Sequence, residues 1–266
     1  MILNGSGGYW TLQDSMTVTS TLTITQGALD TSGNNCSGAA CSMSVAAGWL
    51  NNGGRFVANT STVTFNGTIA AQNITSRGSP FYNLYINGGS NGYWTMLDSM
   101  TVNANLTLNK GTLDTSAASC AGASCNLALT GTWLNSGGLF VTNTSTITLT
   151  GNLGGQTITS RGNPFYNFYI NGGSSGYWTL MDSMTVLSTM TLTQGTLDSN
   201  TSANPGFNIK RNPYFYSDTS IDTPCPWCFY EESPRYFSPL FRQDSFIFVH
   251  WPITSWYRNN CIESPH

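Results

Sequence analysis

The chain has 266 residues, of which only 8% are charged and 39% hydrophobic, with a formal net charge of −3. So thin a charge excludes the clustered Lys and Arg of a nucleic-acid-binding face, and the apolar and aromatic content excludes a disordered chain. No apolar run approaches about 18 residues, so no membrane-spanning helix is expected. Solubility must rest on uncharged Thr, Ser and Asn, a surface suited to the outside of a cell or to a packed array.

Residues 1–5 lack the basic start and apolar stretch of a signal peptide. They occupy the place that Tyr85-Ile86-Asn87-Gly88 holds later in the pattern. The sequence therefore reads as a slice of a longer array, with room for an export signal upstream. Tyr9-Trp10-Thr11 then recurs as Tyr93-Trp94-Thr95 and as Tyr177-Trp178-Thr179, a constant step of 84 in the numbering. Asp14, Asp98 and Asp182 keep that step, as do Asp30, Asp114 and Asp198, and Trp49 matches Trp133. The first two copies agree at about 60% of positions, which marks a repeat architecture. The boundaries read as a partial unit at 1–4, repeats at about 5–88 and 89–172, and an incomplete repeat at 173–199. A non-repeat region follows at 200–266.

Within a unit, apolar residues alternate with Thr, as in Met16-Thr17-Val18, Leu22-Thr23-Ile24-Thr25, Val63-Thr64-Phe65 and Ile147-Thr148-Leu149-Thr150. Period two predicts strands with one buried face and one Thr face. Branching at Cβ favours such surfaces and disfavours helix. Asn51-Asn52-Gly53-Gly54 and Asn87-Gly88-Gly89 mark turns. The expected fold is all-β: a parallel β-helix, or β-solenoid, in which each unit folds into about four rungs of roughly 20 residues. The alternative is a string of β-sandwich domains, one per unit.

Three stretches carry a family likeness: Gly48-Trp49-Leu50-Asn51-Asn52-Gly53-Gly54-Arg55-Phe56, Ser61-Thr62-Val63-Thr64-Phe65-Asn66-Gly67 and Phe81-Tyr82-Asn83-Leu84-Tyr85-Ile86. They resemble the Thr/Asn/Gly-rich β-strand repeats of large bacterial surface and secreted proteins, of the adhesin or autotransporter-passenger kind. The resemblance covers residues 1–199 and implies a β-helical stalk on the cell exterior, used for attachment or for spacing a distal domain.

Cys36 and Cys41 enclose a loop of small residues, and so do Cys120 and Cys125. Local disulfides are expected, and with them an oxidising compartment. A shared metal site is not, because the pairs would lie about four rungs, or roughly 19 Å, apart with no His beside them. The six carboxylates of residues 1–199 are all Asp at the two repeated positions. They read as turn caps rather than as a converged acid–base pair. Both histidines, His250 and His266, lie past residue 200, so the repeats cannot build a Ser-His-Asp set. Catalytic, cofactor and metal residues are therefore expected to be absent.

The aromatic pairs Tyr9 and Trp10, Tyr93 and Trp94, and Tyr177 and Trp178 are the candidates for stacking on sugar rings, if exposed. Filling the core is the competing role. The functional expectation is a structural or adhesive segment whose partners are a surface glycan or neighbouring copies of itself, in a filament or array. The alternatives are a carbohydrate-binding or carbohydrate-active β-helix with its site elsewhere and, from the Thr-rich strands, ice binding. Beyond residue 200 Pro and charge rise, and Cys225-Pro226-Trp227-Cys228 has the spacing of a redox dithiol without an α/β unit to carry it. That stretch reads as a capping segment or as non-native sequence.

Overall fold

The computed structural model describes residues 1–33, 36, 40–116, 120, 124–199 and the backbone of 207–209. The capping segment, the dithiol at Cys225 and Cys228 and both histidines lie outside the described residues. Among the described residues there is no helix, and the strands stack in parallel. The chain is a parallel β-solenoid of about eight turns.

Three faces run along the axis. The first is the longest, with nine strands: Met16–Val18, Met43–Val45, Thr62–Phe65, Asn83–Asn87, Leu106–Lys110, Trp133–Asn135, Gln156–Thr159, Tyr177–Leu180 and Thr196–Asp198. The second runs through residues 22–24, Trp49–Asn51, Gln72–Thr75, Tyr93–Met96, Thr112–Asp114 and Leu139–Val141. The third starts with residues 9–11, 28–30 and Arg55–Val57. It resumes through the bridge of Phe81 to Met100–Val102, then Leu127–Leu129, Thr146–Leu149, Asn167–Asn171 and Met190–Gln194. At its one gap a side chain replaces the backbone ladder: the Phe56 amide donates to Ser79 Oγ at 3.2 Å.

The expectation of about four rungs per unit is made exact by the register. From Tyr93 to Tyr177 the chain makes ten strands and the single bridge residue Phe165, eleven stations on three faces. One unit therefore winds three and two-thirds turns. Turn length varies: the turn from Trp94 to Leu113 is short, that from Leu106 to Trp133 is long, and the corner loops absorb the difference. Each copy is consequently rotated onto the next face. Trp10 lies on the third face, opposite Leu29; Trp94 on the second, opposite Gln72; and Trp178 on the first, opposite Gln156. Equivalent residues do not stack on one another, and the two cysteine pairs close different corners.

Alternate residues point inward and build one continuous core. On the first face Leu84, Leu106, Trp133 and Ile158 form an unbroken inner column, each at most 1% exposed. Aromatic clusters repeat within it: Trp49 meets Phe56 at 4.7 Å and Phe81 at 5.1 Å, and Trp133 meets Phe140 at 4.9 Å and Phe165 at 5.0 Å, mostly edge to face. Stacking lets every unit extend the same core, so charge is not needed to define its boundary.

The abundance of Asn and Ser has a structural cause. At the strand entrances their side chains accept the backbone amide of the next rung. Asn83 Oδ1 accepts from Asn105 at 3.2 Å, Asn105 Oδ1 from Thr132 at 2.9 Å, Thr132 Oγ1 from Thr157 at 3.2 Å, and Asn126 Oδ1 from Thr146 at 2.8 Å. These side-chain ladders satisfy amides that corner loops would otherwise leave unpaired. At the strand exits Asn109 continues the series, donating to Asn87 at 2.9 Å and accepting from Ser136 at 3.1 Å.

Candidate functional site

The candidate sugar-stacking set divides. Trp94 and Trp178 are fully buried and offer no ring face to a ligand. Their indole N–H groups donate to Ala47 O and Gly131 O, each at 3.1 Å. One glycine makes room for each ring. A Cβ on Gly88 would stand 2.3 Å from Trp94 Cη2 and 2.3 Å from Gly67 O, and one on Gly172 would meet Trp178 Cη2 at 2.5 Å. The Asn-Gly-Gly turns are thus cradles for tryptophan as well as chain reversals. Trp10, in the first turn, is half-buried and Tyr9 beside it is 60% exposed. Of the two roles open to these tryptophans, Trp94 and Trp178 take core filling and not sugar stacking.

The tyrosines of the same set hold carboxylates. The Tyr9 hydroxyl donates to Asp30, Tyr93 to Asp114 at 2.5 Å, and Tyr177 to Asp198 at 2.5 Å. Each bond joins one rung to the next. Asp114 also accepts from the Ser116 amide at 2.8 Å, from Ser116 Oγ at 2.7 Å and from Asn143 Nδ2, one rung further on, at 3.1 Å. Asp30 has the matching Ser32 and Asn59 partners. One carboxylate therefore ties three successive rungs at the corner that leads into each cysteine loop. Burial and the Asp114 bond push the Tyr93 phenol up to about 12, and the Asp114 charge adds to both. For Asp30, burial pulls upward, but the bonds from Tyr9, Ser32 and Asn59 outweigh it and hold the carboxyl below its ordinary value.

Asp98 and Asp182 cap turns, though not their own. Asp98 accepts the amides of Ser76, at 2.8 Å, and Arg77, and Asp182 accepts those of Ser160 and Arg161 at 2.7 and 2.5 Å. Each capped turn lies one rung earlier. Arg77 and Arg161 sit in the left-handed region with φ of 50° and 51°, a strained backbone for a non-glycine residue that the carboxylate helps to hold.

Both expected disulfides are formed, Cys36–Cys41 and Cys120–Cys125, each with a Cα–Cα distance of 5.2 Å. The Cys41 and Cys125 amides donate to Thr31 O and Thr115 O at 2.8 and 2.9 Å, next to the Asp30 and Asp114 nodes. Node and disulfide together fix each corner. Among the described residues no group of three His, Cys, Asp or Glu side chains could hold a metal ion.

One shallow groove of about 310 Å³ lies on the third face, lined by Thr146, Asn167, Phe168, Tyr169, Thr189 and Thr191. It is invisible in the sequence because its walls come from three successive rungs, each a full turn of the chain from the next. A flat Thr array of the ice-binding kind would need unbroken ranks; on the first face Tyr85 and Leu134 interrupt the rank of Thr64, Thr107 and Thr159.

No family model, curated protein or solved structure matches the chain.

Proposed function

We propose that the protein is a non-catalytic structural segment of an extracellular or cell-surface protein, a stiff stalk that attaches to or spaces what it carries. The observation that carries this reading is how the polar groups are used. Asp30, Asp98, Asp114 and Asp182 each bond to turns or to neighbouring rungs rather than converging on a cleft. The two disulfides are compatible with an oxidising compartment. A continuous core with parallel backbone ladders resists bending, as a spacer requires.

Proteolysis of intact source cells, followed by mass spectrometry of the released peptides, tests the reading. Release of repeat peptides carrying the Cys36–Cys41 link supports it. Repeat peptides recovered only from lysed cells, with free thiols, would refute it.

A carbohydrate-binding role is the second reading, favoured by the groove at Tyr169. Its Thr hydroxyls, the Asn167 amide and an aromatic ring are the groups that sugars use. Oligosaccharide titration against wild type and Tyr169→Ala separates the two, since the stalk alone predicts no binding by either.

A further inference from the structure

The outward centre of the first face carries a pattern that follows the stack, not the sequence. Taking one residue per rung, the column reads Thr17, Ser44, Thr64, Tyr85, Thr107, Leu134, Thr159. Ile158 faces Leu180, which sets Met181 beside Thr159 as the eighth member. Thr therefore occupies every second rung, and Ser, Tyr, Leu and Met fill the rungs between. Leu134 is 37% exposed and Met181 47%. The column holds no charged side chain.

We propose that this column is the contact surface for a second copy of the chain, packed face to face about a two-fold axis. The reason is geometric. A two-fold perpendicular to the solenoid axis and set between the rungs of Tyr85 and Thr107 reverses the order of the rungs. Because the column alternates strictly, that register places Tyr85 against Thr107, Thr64 against Leu134, Ser44 against Thr159 and Thr17 against Met181. Each Thr then meets a residue from the other class, and the larger side chains project over the smaller. Such interdigitation is how apolar sheet faces pack, about 10 Å apart. The interface is isologous, so it closes at two copies.

The area suits the proposal. Eight rungs spaced by about 4.8 Å and four residues of about 3.3 Å across give roughly 500 Å² per chain. The total of about 1,000 Å² reaches the size at which specific interfaces begin. A contact of that size forms reversibly; the column itself carries no charge, and the Asp182 carboxylate beside Met181 is engaged by the Ser160 and Arg161 amides. The proposal does not depend on where the protein resides.

Sedimentation over a wide concentration range tests it with three proteins: wild type, Leu134→Lys on the column, and Ile69→Lys at a corner off the column, where Ile69 is 63% exposed. The expected result is a wild-type mass that rises towards two chains, a Leu134→Lys protein that stays at one chain with an unchanged unfolding midpoint, and an Ile69→Lys protein that behaves as wild type. Orientation is read by mixing Tyr85→Cys with Thr107→Cys and adding a short bis-maleimide, then mapping the linked peptides. A link between residues 85 and 107 of different chains is expected, in excess of links between identical positions. A wild type that stays at one chain, with or without a glycan bound to the column, overturns the proposal. So does dimerisation undiminished by Leu134→Lys, or a preference for links between identical positions.

Discussion

Replacing Asp114 by Ala removes the node that ties three rungs at the second disulfide corner. The side chain is 4% exposed and accepts four hydrogen bonds, from Tyr93, twice from Ser116, and from Asn143. A hydrogen bond to a charged group contributes about 1.5–3 kcal/mol, and four bonds to one carboxylate are not additive, so a loss of about 3 kcal/mol is expected. The loss should be local first. Hydrogen exchange at the Thr115 and Cys125 amides, which close this corner through Val141 O and Thr115 O, should speed up by roughly 100-fold for about 3 kcal/mol. The matching amides at Thr31 and Cys41 should be unchanged. Asp114→Asn keeps the shape and removes the charge. It should therefore lower the Tyr93 phenol from about 12 while leaving it above its ordinary value, because burial persists. Near-ultraviolet absorbance of the tyrosinate reads this. The sign follows from the raised phenol: the stability it contributes is complete below pH 10.0, its unfolded value, and is lost as pH rises through about 12. Exchange at Thr115 unaltered by Asp114→Ala would refute the node.

Three other perturbations separate parts of the fold. Gly88→Ala places a methyl 2.3 Å from the Gly67 carbonyl and from Trp94, so a destabilisation of about 3 kcal/mol by overpacking is expected in denaturant titration. Gly78→Ala meets nothing within 4 Å and suffers only its φ of 72°, about 1 kcal/mol; equal losses would mean that the cradle is not tight. Reducing Cys120–Cys125, or replacing both by Ser, should lower stability by about 2 kcal/mol on the chain-entropy account of so short a loop. A midpoint unchanged by reductant would contradict it. Asp30, held below its ordinary value by Tyr9, Ser32 and Asn59 against the opposing pull of burial, contributes stability above the ordinary carboxylate range that is lost as pH falls through its folded value. Asp30→Asn should flatten the acid limb of a stability–pH curve, and an unaltered limb would count against the bond set.

Much of this architecture is legible in the residues. The alternation in Leu22-Thr23-Ile24-Thr25 fixes both strand and facing, and Leu22 and Ile24 are wholly buried while the two Thr are not. The Cys36 and Cys41 spacing gives the disulfide. The winding number is not legible, because the repeat step lies so close to four equal turns that an integral count suggests itself. Only the register shows turns of unequal length, with the long ones at the disulfide and Gly-Gly corners. The fate of Trp94 also escapes the sequence. In Tyr93-Trp94-Thr95 either aromatic could face inward by periodicity, and the inner side has room for the indole because Gly88 carries no Cβ. The alternating column escapes for a third reason: neighbours such as Thr107 and Leu134 are a whole turn apart along the chain, so no local window contains the pattern.

The winding of the repeat is best tested by length. A variant carrying one further copy of residues 89–172 should be longer than the parent by three and two-thirds rungs, about 18 Å at about 4.8 Å per rung, in the maximum dimension from small-angle X-ray scattering. The difference cancels any contribution from residues beyond 199. A unit folded as a separate globular domain would have a radius of gyration of about 12 Å and add about 30 Å instead. An increase of about 18 Å is the predicted result, and an increase of about 30 Å would contradict the solenoid.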